Sequence, residues 1–144
     1  MKYPIGIQSF EQIIEDGYVY IDKTDLVYRL THEGKIYFLS RPRRFGKSLL
    51  VSTLKNYYLG YKELFKGLKI DSLETDWHVH PVFHVDFNGS NFLEEGVLEK
   101  RLYAYVRDWE ARYGLPSDAD LLDLGGRFIK VLEAAHEQTG RRAV

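Results

Sequence analysis

The sequence contains no cysteine among its 144 residues, which excludes disulfide bonds, thiolate metal sites and a cysteine nucleophile. Long apolar runs are missing too: no stretch approaches the roughly 18 apolar residues of a membrane-spanning helix, and the first residues lack the apolar core of a signal peptide. Charge of one sign is not in excess, because 20 basic and 21 acidic residues leave a formal net charge of −1. The sequence therefore predicts a cytoplasmic protein with no membrane partner, and nucleic acid could be attracted only by a local patch.

Apolar and aromatic residues are abundant enough for a folded core, at 44% and 15% of the chain. Helical spacing predicts helices over 24–33, 49–59, 93–113 and 118–138, and a short amphipathic turn over 62–70. The run KIYFLS (35–40) has the composition of a buried strand, and PVFHVDFNGS (81–90) predicts a second strand. Because strands alternate with helices, we expect one α/β domain over 1–144, with an incomplete parallel sheet flanked by helices.

The segment SRPRRFGKS (40–48) is close to the phosphate-binding pattern G-x-x-x-x-G-K-[ST]. It follows a predicted strand and opens a predicted helix, where backbone N–H groups can bind an anion. Arg41 stands where the pattern has its first glycine, and arginine cannot adopt a positive φ as cheaply. Pro42 biases Arg41 toward extended backbone, so a loop that turns later would keep the second half of the phosphate cradle.

We interpret this segment as a site for ATP and Mg²⁺ rather than as a basic turn before a helix. Lys47 would neutralise phosphate charge, which makes it the predicted catalytic residue, and the Ser48 hydroxyl would hold the Mg²⁺ ion. Backbone amides would cradle the β-phosphate. The predicted nucleotide-binding residues are Arg43, Arg44, Phe45, Gly46, Lys47, Ser48 and Leu49.

Four stretches resemble, in order and spacing, the bacterial family of predicted AAA-ATPase-like proteins: YIDKTDLVYRL, KIYFLSRPRRFGKSLLVSTLKNYY, KELFKGLKI and HPVFHVDFN. The resemblance covers residues 4–144, and RPRRF is the usual form of the loop in that family, so Arg41 fits it. The resemblance implies a P-loop, ATP-binding domain of a predicted nucleoside-triphosphate hydrolase. Members of the family often carry a restriction-endonuclease-like nuclease domain further along the chain.

The resemblance also implies that this chain is an N-terminal fragment. Family members continue after a stretch like GRRAV into an apolar strand that ends in acidic residues, which position Mg²⁺ and the attacking water. Without that strand we expect ATP binding with no appreciable hydrolysis. We also expect an exposed sheet edge to favour self-association.

Two further groups of residues are candidates for metal binding. Asp86 ends an apolar strand, as a Mg²⁺-binding aspartate would, but the order of elements in the resembled family favours a structural role at the strand end. The three residues His78, His80 and His84 share a parity along an extended segment. No fourth ligand is evident for them, so a surface or half-buried set of histidines is favoured over a metal site.

The segment Asp22-Lys23-Thr24 precedes the first predicted helix. We predict that Thr24 caps this helix and that Asp22 lies near its positive end. In the resembled family the same segment is a signature whose position would suit a wall of the nucleotide site.

An alternative function remains open at this point, that of a DNA-associated regulatory module. In it, the arginines at positions 41, 43 and 44 contact the phosphate backbone of DNA. Aromatic residues could support such a function by base stacking, but they fall at helical spacing, which favours packing in the core. The residues in question are Tyr57, Tyr58, Tyr103, Tyr105 and Trp109.

Overall fold

The computed structural model describes residues 1–89, 91–116 and 123–144. The helices are α1 (Phe10–Glu15), α2 (Thr24–Glu33), α3 (Lys47–Tyr58), α4 (Lys69–Leu73), α5 (Val97–Arg112) and α6 (Leu124–Thr139), with a 3₁₀ turn at Lys62–Phe65. The chain divides into two compact units, Met1–Val79 and His80–Val144. Helices α1 to α4 belong to the N-terminal unit, and α5 and α6 belong to the C-terminal unit.

The N-terminal unit is built around an aromatic core. Helix α1 packs against α3, and α2 packs against α4. Phe65 is fully buried, and its ring centroid lies 4.7 Å from that of Phe10 and 5.1 Å from that of Trp77. Val27 and Ile70 complete the buried cluster. Burial of these side chains holds the short helices together, because helices of this length are marginal on their own.

The C-terminal unit consists of α5 packed on α6 around Val106, Trp109 and Val131. A buried ion pair also joins the two helices: the Arg127 guanidinium donates from Nε and Nη2 to the Glu110 carboxylate at 2.8 and 2.7 Å. Both side chains are only 5% exposed. The paired hydrogen bonds offset the cost of burying the two charges and fix how the helices face each other.

The predicted parallel sheet is wrong, because the residues that the structure describes contain no β-strand. Residues 35–40 form neither a helix nor a strand and pair with no neighbouring segment, and Ile36 and Phe38 are each 94% exposed. An apolar run makes a strand only when a second backbone edge supplies ladder hydrogen bonds, and within the described ranges this run meets none. The composition of this run therefore predicted a strand that the structure does not contain.

The second predicted strand, 81–90, has no strand among its described residues and ends in a turn at 88–89, but Phe83 and Val85 pack against the C-terminal core. Its backbone exchanges two hydrogen bonds with Val144, from Phe83 N to Val144 O at 2.8 Å and from Val144 N to Pro81 O at 2.9 Å. This is the bonding pattern of a parallel pair, but it involves a single position. Ser90, the last residue of the prediction, lies outside the described residues.

The helix predictions agree with the structure more closely than the strand predictions do. The 24–33 helix is confirmed as α2 and the 49–59 helix as α3, whereas the predicted 93–113 helix is found as α5 but begins four residues later, at Val97. The last helix begins at Leu124 behind Asp123, whose side chain accepts a hydrogen bond from Gly126 N at 2.8 Å. The predicted start of that helix, at 118, lies outside the described residues. Within the described ranges, no helix has both the length and the apolar character needed to cross a membrane.

Candidate functional site

The loop before α3 turns later than the phosphate-binding pattern requires. Two of its residues have left-handed backbone conformations, Arg44 with φ 66° and Gly46 with φ 73°. Arg41, at the position of the first glycine in the pattern, is not among the residues with positive φ. The chain therefore passes Arg41 without a turn and turns across residues 43–46. An arginine in this conformation costs about 1–2 kcal/mol relative to glycine, so the surrounding loop must favour it.

The first backbone N–H groups of α3 are available for an anion. Gly46 occupies the cap position and has no side chain with which to cap the helix. The first helical bond runs from Leu50 N to Gly46 O at 3.0 Å, and in the described chain the N–H groups of Lys47, Ser48 and Leu49 have no acceptor. Three donors at the positive end of a 12-residue helix favour a bound anion.

Lys47 folds back over the loop. Its ammonium group donates hydrogen bonds to the carbonyl oxygens of Arg41 at 2.6 Å and Pro42 at 2.8 Å. These hydrogen bonds keep the Lys47 ammonium group beside the start of α3 and connect the two ends of the loop. A phosphate oxygen is a stronger acceptor for an ammonium group than a peptide carbonyl, so the same lysine can exchange these partners for a ligand.

Positive charge around the loop is not neutralised. Arg41, Arg43 and Arg44 are exposed, and none of them belongs to an ion pair in the described part of the chain. Arg29 and Arg127, by contrast, pair with Glu33 and Glu110. The loop therefore combines free amide donors with unpaired cations, which is the electrostatic character of an anion site.

The neighbouring elements fix the orientation of α3 and therefore of the loop. Phe10 N donates to the Ser52 hydroxyl at 2.9 Å, which ties α1 to the second turn of α3. Thr53, 1% exposed, donates its hydroxyl to Leu49 O at 2.8 Å. Tyr20 packs edge-on against Phe10 with ring centroids 5.3 Å apart, and burial raises the pKa of its hydroxyl. These buried contacts hold the start of α3 in place from behind the loop.

The segment Asp22-Lys23-Thr24 joins two helices. One oxygen of the Asp22 carboxylate accepts from Thr24 N and Oγ1 at 2.9 and 2.7 Å, and the other accepts from Lys69 N at 2.7 Å. Thr24, fully buried, accepts at its hydroxyl from Ile70 N at 3.0 Å. These hydrogen bonds connect the start of α2 to the start of α4. The predicted cap at Thr24 is wrong: Lys23 holds the cap position and Thr24 is the first helical residue.

The charge state of Asp22 follows from these contacts. Burial alone would raise its pKa, but the hydrogen bonds from Thr24 and Lys69 N hold the pKa of Asp22 below its ordinary value. The carboxylate is thus ionised and engaged inside the N-terminal unit.

Asp86 has a structural role in a turn. Its carboxylate accepts from Asn88 N at 2.8 Å, and its backbone N–H and carbonyl both bond the Tyr105 hydroxyl, at 3.0 and 2.8 Å. His80 bonds Arg142 O at 3.0 Å. Within the ranges that the structure covers, no group of three or more histidine, aspartate or glutamate residues is arranged to hold a metal ion.

The aromatic residues pack in the cores, as their helical spacing predicted. Tyr57 lies 5.6 Å from Trp77 between ring centroids, and Tyr105 stacks on Trp109 at 5.6 Å. Tyr58 packs edge-on against Tyr57, and Tyr103 lies under the Arg127 guanidinium. None of these contacts points to base stacking.

Sequence reasoning missed a titratable cluster beneath α3. The Tyr57 hydroxyl donates to the buried Glu74 carboxylate, and His32 Nε2 lies 3.7 Å from the same carboxylate. Burial would raise the pKa of Glu74, but hydrogen bonds from Tyr57 and Asp76 N keep it below its ordinary value. Burial also raises the pKa of Tyr57. No local pattern marks this cluster, because its members are far apart in the sequence.

Comparison with known proteins identifies relatives of this chain. It matches, over residues 4–144, the family described as Predicted AAA-ATPase. It is also 38% identical over 145 residues to a protein of Azotobacter chroococcum mcd 1 described as an uncharacterized protein in the vnfD 5′ region. The alignment covers 99% of this chain and 28% of that relative, so the chain spans less than a third of its length. No solved structure matches. The chain belongs to the predicted AAA-ATPase family, as the four quoted stretches of sequence indicated.

Proposed function

We propose that residues 41–49 bind the phosphates of ATP together with Mg²⁺. The observation that carries the proposal is the set of three N–H groups at the start of α3 that have no acceptor in the described chain. Lys47 and three unpaired arginines surround these donors. Membership of the predicted AAA-ATPase family supports nucleotide binding in general, without identifying a particular nucleotide or reaction.

The residues present fit the ligand. The amides of residues 43–49 would receive the β-phosphate, Lys47 would neutralise charge, and the exposed Ser48 would offer its hydroxyl to the metal. A bound Mg²⁺ ion would neutralise part of the phosphate charge. Lys47 must first leave the carbonyls of Arg41 and Pro42, which makes it the part of the loop that changes on binding.

The proposal is for binding without appreciable hydrolysis by these residues. Phosphoryl transfer also requires a second anchor for the metal and a group that orients water. The Asp86 carboxylate accepts a hydrogen bond from Asn88 N, and the ranges described contain no group of three or more histidine, aspartate or glutamate residues arranged to hold a metal. The nuclease-like domain implied by the resemblance stays a prediction.

Calorimetric titration of ATP with Mg²⁺ into the wild-type chain and the Lys47→Ala variant tests the proposal. We expect affinity to fall by about tenfold or more, because a charge-assisted bond to phosphate is lost. The thermal midpoint should change little, since Lys47 makes no core contact. Lys55→Ala is the matched control, because Lys55 is exposed on the same helix. Unchanged ATP affinity in Lys47→Ala would refute the site.

The salt dependence of binding distinguishes the DNA-binding alternative from the nucleotide site. If the arginines bind a DNA backbone instead, duplex affinity falls steeply with salt and ATP does not compete. If the loop is a nucleotide site, ATP with Mg²⁺ binds at moderate salt and excess duplex leaves that affinity unchanged.

Phosphate release tests the second part of the proposal. We expect no Mg²⁺-dependent release above the rate seen with Lys47→Ala. Release that Lys47→Ala abolishes would show that the missing acid lies within this chain, and Asp86→Asn would then be the variant to measure.

A further inference from the structure

The C-terminal unit carries a shallow apolar groove at the start of α5, with a volume of about 430 Å³. Phe92, Leu93 and Leu98 supply apolar surface to it. Leu93 is 96% exposed and Leu98 is 48% exposed. Exposed leucines gathered in a concave surface, rather than scattered singly, are typical of interaction sites.

The rim of the groove is acidic. Glu94, Glu95 and Glu99 line it, and none of the three belongs to an ion pair in the described part of the chain. Glu94 accepts one hydrogen bond, from the Asn91 side chain at 3.0 Å. Unpaired carboxylates repel nucleic acid, anionic lipid and nucleotides, and attract a cationic segment that has an apolar side chain for the groove.

The same molecule exposes a segment with that chemistry. Arg43 and Arg44 are exposed and unpaired in the described chain, and the adjacent Phe45 is 62% exposed. We propose that the acidic groove of one copy binds residues 43–45 of a second copy, with Phe45 in the groove and the arginines at the glutamates. The contact requires no nucleotide, but residues 43–45 also belong to the nucleotide site proposed above, so ATP with Mg²⁺ should compete with it.

The proposed contact joins two different surfaces, the groove of one copy and the segment of another. Each copy at the end of an assembly therefore still has one of these surfaces free. Association is head to tail and can form rings or open chains. A small interface with a charged rim gives weak binding that salt suppresses. This places the predicted self-association on a charged groove rather than on a sheet edge.

Sedimentation of the wild-type chain without nucleotide, at about 50 mM and about 500 mM salt, is the first measurement. We expect the average mass to rise with protein concentration at low salt and to return to that of the monomer at high salt. A monomer at every concentration would overturn the proposal. So would self-association that is indifferent to salt, because it would involve another surface.

Charge exchange identifies the two surfaces. The double variant Glu95→Lys, Glu99→Lys reverses the charge of the groove rim. The double variant Arg43→Glu, Arg44→Glu reverses the charge of the segment. Each double variant alone should lose association by about tenfold or more, and an equimolar mixture of the two should regain it because both contacts are again complementary. Circular dichroism checks that each variant is folded. Folded variants whose mixture stays monomeric would overturn the proposal.

Two further measurements complete the test. Glu133→Lys with Glu137→Lys, exposed residues at the same spacing on α6, changes the net charge equally and should leave association intact. A labelled peptide with the sequence of residues 41–49 should bind the wild-type chain, and its Phe45→Ser form should bind less. A chain that binds the peptide but never self-associates would have another basic protein as its partner, which would overturn the proposal of a second copy.

Discussion

The junction at Asp22 and Thr24 and the loop at residues 41–49 are both short polar motifs next to helix starts, yet they use their polar groups in opposite ways. At the junction, the Asp22 carboxylate accepts three hydrogen bonds and the Thr24 hydroxyl both donates and accepts. At the loop, three amides and three arginines have no partner in the described chain. A motif whose groups are satisfied internally supports the fold, whereas one whose groups are left unsatisfied can bind a ligand.

This difference explains why Asp22 and Thr24 can lie near a candidate ligand site without contributing a contact to a ligand. Asp22 and Thr24 connect α2 to α4, and the hydrogen bond from Phe10 N to the Ser52 hydroxyl connects α1 to α3. The first motif therefore contributes stability to the unit that presents the second. Substitutions should separate the two roles, since those at the junction should change the free energy of unfolding and those in the loop should change ligand affinity.

The largest expected effect belongs to Asp22→Ala. It removes the acceptor of three hydrogen bonds, two of them from backbone N–H groups, and should lower the free energy of unfolding by about 3 kcal/mol. Urea denaturation measures it. Asp25→Ala is the control, because Asp25 makes only an exposed ion pair with Lys69 and should cost about 0.5 kcal/mol or less. An Asp22→Ala chain of normal stability with weakened ATP binding would instead make this segment a wall of the nucleotide site.

Ser48→Ala should have a smaller effect that depends on Mg²⁺. Loss of the hydroxyl should weaken binding of ATP with Mg²⁺ by about tenfold while leaving binding of ATP without metal nearly unchanged. Ser48→Thr keeps a hydroxyl and should behave like the wild type. Calorimetry with and without Mg²⁺ measures the difference. Equal losses in both conditions would mean that Ser48 does not hold the metal.

Acid should weaken the N-terminal unit before it affects the loop. The folded pKa values of Asp22 and Glu74 are lowered, so their contribution to stability is fully present above their unfolded values near 4 and is lost as the pH falls through the lower folded values. The free energy of unfolding should therefore decrease below about pH 4. Asp22→Asn should flatten this decrease. A wild-type curve as flat as that of the variant would contradict the assigned hydrogen bonds.

The smallest expected effect concerns the turn itself. Arg44 has a positive φ, so Arg44→Gly should leave the chain about 1 kcal/mol more stable than Arg44→Ala, which keeps the unfavourable conformation. Both variants lose the same charge and should lose ATP affinity equally. Chemical denaturation of the pair provides the comparison. No difference in stability between them would place the turn elsewhere.

The sequence predicted the helices and the loop better than it predicted the sheet. Helix α2 lies where its spacing placed it, because its buried face repeats locally along the chain. The run KIYFLS has the composition of a strand, but a sheet depends on a second backbone edge that local composition does not specify. Helix α1 was missed although Ser9 caps it by accepting from Gln12 N at 3.3 Å, a signal present in the residues SFEQ.

At the candidate site, too, local features were predicted from the sequence and contacts between distant residues were not. The pattern around Gly46, Lys47 and Ser48 predicted a helix start with available amides, since that geometry is local. It did not predict that Lys47 bonds the carbonyls of Arg41 and Pro42, because that contact depends on where the loop turns. The bonds from Lys69 and Ile70 to the Asp22-Thr24 junction cross more than forty residues, and spacing alone does not show them.

The backbone amide NMR spectrum of the chain shows directly whether the amides at the start of α3 bind phosphate. Addition of ATP with Mg²⁺ should shift the signals of Lys47, Ser48 and Leu49 most. The amides of Thr24 and Ile70, already bonded within the unit, should stay nearly unchanged. Saturable shifts centred on Thr24 and Ile70, with none at residues 47–49, would contradict the account.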